Sequence, residues 1–78
     1  MRVRVYVSLK EGVLDPQGKA IQHSLDSLGF KEVRDVRVGK VITLDLEGEP
    51  EAAEARVKRM CEELLANTVI ESYRYEFE

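Results

Sequence analysis

The sequence predicts an α+β domain in the order β-α-β-β-α-β, with a four-stranded antiparallel sheet and two helices on one of its faces. Three features point there. Residues 2–9 and 70–77 alternate apolar and polar side chains at the period of a half-buried strand. Two internal stretches instead space apolar residues at helical intervals, and each opens at a proline, Pro16 and Pro50. Between them Glu32 to Glu47 returns to alternation, interrupted at Gly39-Lys40.

In the first strand Val3, Val5, Val7 and Leu9 lie opposite Arg2, Arg4, Tyr6 and Ser8, and Lys10-Glu11-Gly12 ends it. Asp15 is placed to cap the first helix, and Pro16 takes its first position, where the missing N–H costs nothing. Ile21, Leu25 and Leu28 form the apolar stripe at i, i+4, i+7, and Gly29 stops the helix. Gly18 falls in the first turn, where helix propensity disfavours it and does not explain it. For residues 33–47 a three-residue loop, Gly39 to Val41, pairs Val38 with Ile42 and Val36 with Leu44 and keeps one face apolar. That bulged hairpin is the expectation; one long strand kinked at Gly39 is the alternative.

In the second helix Ala53, Val57, Met60, Cys61 and Leu64 follow helical spacing, with Glu51 and Glu54 near its positive end. Asn67 is the expected left-handed terminator. The last strand, Ile70 to Phe77, sets Tyr73, Tyr75 and Phe77 against Arg74 and Glu76. Right-handed crossovers then give the split βαβ, ferredoxin-like arrangement, which hosts many unrelated functions.

At 78 residues the chain forms one domain, 1–78. Its balance, 12 basic against 15 acidic residues, is net −3, which argues against nucleic acid as a partner. No apolar run approaches the ~20 residues that span a bilayer. Met1-Arg2-Val3-Arg4 also lacks the apolar core of a signal peptide. No membrane contact and a cytoplasmic location are therefore expected. A chain this short buries only roughly 60–65% of its unfolded surface, so association with other chains is a natural supplement.

No constellation carries chemistry. The single Cys61 lies on the apolar stripe of the second helix and reads as a packing residue, and the single His23 falls off the first helix's stripe. One Cys and one His cannot build a transition-metal site, so neither a metal nor a catalytic residue is expected. Asp45/Glu47 and Glu62/Glu63 read as solvated faces, and no glycine motif cradles a nucleotide. The aromatics of the last strand are a poor base-stacking platform, since they sit on a terminal strand without a basic surround.

Two turn-forming segments remain: Val13-Leu14-Asp15-Pro16-Gln17-Gly18 and Arg37-Val38-Gly39-Lys40. With Cys61-Glu62-Glu63-Leu64-Leu65-Ala66-Asn67 and Val69-Ile70-Glu71, they resemble the PurS family in order and spacing from Val5 to Tyr75. The chain departs at Thr68, where many members carry proline after the asparagine. The resemblance implies a non-catalytic small subunit of phosphoribosylformylglycinamidine synthase in purine biosynthesis. It implies a large synthetase subunit that binds ATP, Mg²⁺ and formylglycinamide ribonucleotide, a glutaminase subunit that releases ammonia, and a small subunit bridging the two. No cofactor is then expected on this chain.

Leu14, Asp15, Pro16, Gln17, Gly18, Arg37, Gly39, Lys40, Asn67, Ile70 and Glu71 are the expected partner-binding residues, with Leu14 and Ile70 as apolar anchors and Arg37 and Lys40 pairing with acidic groups. The isolated chain is expected as a homodimer or a dimer of dimers. The alternative from another class is a ferredoxin-like module that regulates by holding a small molecule near the glycine turns at a dimer interface.

Overall fold

The alternation of Val3, Val5 and Val7 organises the structure, a computed structural model describing residues 1–78. These valines are buried on one face of β1 (Arg2–Leu9), the central strand of a three-stranded antiparallel sheet. β2 (Lys40–Asp45) and β3 (Glu71–Phe77) flank it. The register places Ile42 and Leu44 beside Val5 and Val3, and Tyr73, Tyr75 and Phe77 beside Val7, Val5 and Val3. All five pack on the same core, so the period-two reading holds on each strand. Tyr75 stacks on Tyr73 at 6.4 Å and meets Phe77 edge-on at 5.9 Å. The aromatic strand thus serves the core, as its position in the sequence implies.

The other sheet face is a polar network. The Arg74 guanidinium lies 3.9 Å from the Tyr6 ring centre, and the Tyr6 hydroxyl donates to Glu76 at 3.3 Å. Arg74 pairs with Glu76 at 2.6 Å and Arg4 with Glu78 at 2.7 Å. The Arg74 hydrogen bond is the main reason the Glu76 carboxyl sits below the usual carboxylate range.

α2 (Pro50–Met60) covers the apolar face through Ala53 and Val57, and Cys61 completes the stripe. Beyond it the backbone widens into a π-helical turn, Cys61–Leu65, in which the Ala66 amide donates to the Cys61 carbonyl at 2.9 Å. Hydrogen bonding from i+5 to i, in place of i+4 to i, rotates the following side chains out of the 3.6-residue phase. Leu64, expected on the stripe, is therefore 83% exposed, and Ala66 enters the core in its place. Asn67 is not left-handed, since no residue other than glycine has positive φ. Its side chain accepts instead from the Val69 amide at 3.2 Å, and its carbonyl takes the Ile70 and Glu71 amides.

Two expectations are corrected. The sheet has three strands, because residues 33–39 pair with no strand. Two polar groups of that segment bond elsewhere, the Arg34 carbonyl accepting from Gln22 and the Val38 amide donating to Asp15, and the Val36 carbonyl packs over Gly18. The alternative, one long strand kinked at Gly39, does not hold either, since β2 begins only at Lys40.

Nor do both helices cover one face. α1 (Pro16–Ser27) contributes only Gly18 to the buried set and leaves Ile21, Leu28 and Phe30 exposed. The chain is correspondingly elongated, 49 × 25 × 14 Å. Local signals for α1 hold nonetheless, with Asp15 as N-cap, Pro16 at the first position and Gly29 at φ 99° just beyond the end.

Cys61 is fully buried, and burial above all, with Glu62 nearby, pushes its thiol up. Replacing it with alanine is expected to lower stability by about 1 kcal/mol through lost packing. Chemical denaturation checks it, and a variant as stable as the parent contradicts the packing role.

Candidate functional site

The segments singled out in the sequence converge on one groove of about 490 Å³. The C-terminal end of β1, Val7 to Leu9, lines it together with Val13–Gln17, Val38–Lys40 and Ile70-Glu71. Leu14, Asp15, Pro16, Gln17, Gly39, Lys40, Ile70 and Glu71 therefore share a single surface although they lie far apart in the sequence. Gly18, Arg37 and Asn67 do not line the groove; they brace it.

Gly18 braces it by lacking a side chain. A β-carbon there would lie 2.0 Å from the Val36 carbonyl oxygen and 2.9 Å from its carbon. This close approach, and not helix propensity, accounts for glycine in the first turn of α1. Gly39 is similarly tight, with the Val7 carbonyl oxygen 2.8 Å from where its β-carbon would be. Both glycines let backbone lie against backbone at the margins of the groove.

Arg37 is not a free cation waiting for a partner carboxylate. Its Nη1 donates to the Val13 carbonyl at 2.8 Å and Nη2 to the Lys10 carbonyl at 3.1 Å, so the guanidinium holds the 10–13 loop. Lys10 reaches across the end of the sheet to the Thr68 carbonyl at 2.7 Å, while its amide donates to the Ile70 carbonyl at 2.9 Å. The turn before β3 is closed by the Asn67 amide donating to Glu71 at 2.6 Å. Lys40 makes no ion pair within the chain and is the uncommitted cation of the groove.

Asp15 is the buried charge of the site, 5% exposed. Its carboxylate accepts from the Val38 amide at 2.7 Å and the Gly18 amide at 2.9 Å. These bonds, the one from Val38 foremost, hold the carboxyl below its ordinary 3.8, and Arg37 adds to the effect. Its contribution to stability is thus complete above pH 3.8 and is lost as the pH falls through the depressed value.

Exposed apolar side chains flank the turn before β3: Leu64 and Val69, the latter 81% exposed, with Leu14 and Ile70 at the groove. Leu14 and Ile70 were legible as apolar residues in turns. Val7, Leu9, Val13 and Val38 were missed as lining residues, because a strand end and hydrophobic loop positions carry no signal of a shared surface until the chain is folded. Lys10 and Thr68 were missed for the same reason.

Nothing in the groove suits acid–base or nucleophilic chemistry. Cys61 is sealed in the core and His23 is exposed on α1, so the two do not form a pair. No three His, Cys, Asp or Glu side chains are grouped to hold a metal ion. Tyr73 donates to Glu62 at 2.8 Å, and this bond foremost pushes its hydroxyl up to about 12, so it stays neutral. What the groove offers is shape, backbone edges, apolar side chains and one free ammonium, which is the equipment of a binding surface.

The chain matches the family model described as PurS, phosphoribosylformylglycinamidine (FGAM) synthase, over residues 2–78. It is 60% identical over 77 residues to the phosphoribosylformylglycinamidine synthase subunit PurS of Bacillus subtilis, covering 99% of this chain and 92% of that protein. A crystal structure of B. subtilis PurS superposes with a TM-score of 0.91, covering 99% of this chain and 96% of that one. A chain in the structure of PurLQS from Thermotoga maritima, 37% identical, superposes with a TM-score of 0.86 over 96% of this chain and 93% of that one. Sequence and fold agree, and the chain belongs to the PurS family.

Proposed function

We propose that the chain is the small, non-catalytic subunit of phosphoribosylformylglycinamidine synthase, a glutamine-dependent ligase of purine biosynthesis. In this reading it bridges a large synthetase subunit and a glutaminase subunit and helps carry ammonia between them. ATP and Mg²⁺ belong to the large subunit. The observation that supports the proposal is the groove, in which segments distant in sequence come together. The likeness to a chain of the T. maritima PurLQS structure supports an assembled role.

The chemistry gives such a subunit a purpose. Ammonia is mostly protonated at neutral pH, and ammonium has no free electron pair for attack. A route closed to water keeps the nucleophile neutral between the site that releases it and the site that consumes it. The chain itself is proposed to assemble as a dimer or dimer of dimers, which the uncovered stripe of α1 supports. No helix is long and apolar enough to cross a membrane. The proposed location is the cytoplasm.

The test is product formation by the large synthetase and glutaminase subunits, with and without this chain, using glutamine and then ammonium as nitrogen source. The chain should be required with glutamine and much less so at high ammonium. If it changes neither rate, bridging fails. A thermal shift of the isolated chain with a metabolite would then favour the regulatory module.

A further inference from the structure

Asp15 does more than cap a helix. Oδ1 accepts from the Gly18 amide at 2.9 Å, the ordinary N-cap bond, while Oδ2 accepts from the Val38 amide at 2.7 Å across 23 residues of sequence. The Val38 bond joins two segments that line the groove, 13–17 and 38–40, its two lips. Nothing in the sheet ladders ties the lips together: 33–39 joins no strand, and α1 buries no side chain beneath it. Besides the carboxylate, Arg37 reaches back to the 10–13 loop, and the Val36 carbonyl rests over Gly18.

We propose that Asp15 is the latch that holds the two lips of the groove in register, a positioning role that only a carboxylate fills at this place. The reason is the number of acceptors. An ionised carboxylate presents two acceptor oxygens, whereas asparagine has one acceptor and two N–H donors, and serine has a single oxygen. Asparagine and serine cap helices about as well as aspartate. Asp15→Asn and Asp15→Ser therefore keep the start of α1 and lose the bond to Val38; in the asparagine variant an N–H meets the Val38 N–H donor to donor. A glutamate carries its carboxylate one methylene too far to replace a buried, doubly bonded group. The consequence for assembly rests on the reading of the groove as a subunit contact: lips that drift apart must be ordered again when a partner binds, and that cost weakens association.

Amide exchange resolved by residue, on the whole chain, tests the latch. In Asp15→Asn and Asp15→Ser the Val38 amide should exchange about tenfold faster or more, as expected for loss of a hydrogen bond to a charged group, while the β1 amides keep their protection. Both variants are then titrated into the glutamine-dependent reaction of the large and glutaminase subunits. The half-saturating concentration should rise by a similar factor, and the rate at saturation should return to that of the parent, which separates positioning from general damage. Val38 protection retained in either variant overturns the latch, since a simple helix cap predicts that result. Protection lost with unchanged half-saturation overturns its coupling to assembly. A parent chain on which the reaction does not depend at all would instead strike the subunit reading, leaving the exchange result to judge the latch alone.

Discussion

Gly18→Ala is expected to destabilise the chain by about 2–3 kcal/mol, against the direction that helix propensity predicts. In an ordinary helix interior alanine is better than glycine by roughly 0.5–1 kcal/mol, because it has less backbone entropy to lose. Here the new methyl would fall 2.0 Å from the Val36 carbonyl oxygen, which is backbone and has no rotamer to turn aside. Overpacking of this kind typically costs 1–3 kcal/mol, and a displaced 36–38 segment also gives up the Asp15 bond to Val38. Lys19→Ala, one position on and exposed, is the control and should stay within about 0.5 kcal/mol. Chemical denaturation at one fixed protomer concentration checks both, since association would shift the midpoint otherwise. A Gly18→Ala midpoint at or above that of the parent would mean that residues 36–38 do not lie over the helix.

Placing glutamate at Ile21 and Leu28 together is expected to break the proposed dimer or dimer of dimers and leave a species near 8.9 kDa. The two residues lie on one stripe of α1, and Leu28 is 73% exposed in the single chain. Phe30, half exposed, extends the same surface. Apolar area of this kind is removed from water when copies associate, at roughly 25 cal/mol per Å². Two carboxylates placed in that contact add a desolvation penalty that no partner group offsets. α1 buries none of these side chains within the chain, so the sheet and α2 should keep their structure. Light scattering on the eluted protein decides the matter. An oligomer that survives both substitutions would remove the α1 stripe from the contact between copies.

Much of the fold is legible in the sequence because its signals are local. The valines of β1 alternate, Asp15-Pro16 starts a helix and Gly29 ends it, and the aromatic strand presents one side to the core. Each of these depends on neighbours within a few residues. Leu64 escaped the pattern because one wider turn of backbone shifts the phase, and the widening has no signature in residue type. The first strand of the expected hairpin failed for a different reason. Val36 and Val38 have the alternation of a strand, but the Val38 amide bonds to Asp15 and the Val36 carbonyl packs against Gly18, away from any strand.

The candidate site divides along the same line. Its turn residues stand out by composition, and their likeness to a family joins them in one functional reading. That Leu14, Gly39 and Ile70 face a common groove appears only once the chain is folded. So does the part played by Arg37, which looks like an interaction residue and proves to hold a loop. A charged residue in a turn looks the same whether it meets a partner or its own backbone.

The sequence by itself determined the class of the domain, the position of both helices, the inward face of every strand and the family to which the chain belongs. The first three follow from short-range periodicity, capping and turn chemistry, which are written residue by residue, and the family from the resemblance of the motif segments. Tertiary structure alone decided that the sheet stops at three strands, that α1 leaves the core, and that one buried carboxylate joins the two lips of a groove. Such outcomes depend on which of several competing partners each backbone amide and carbonyl finds across the chain.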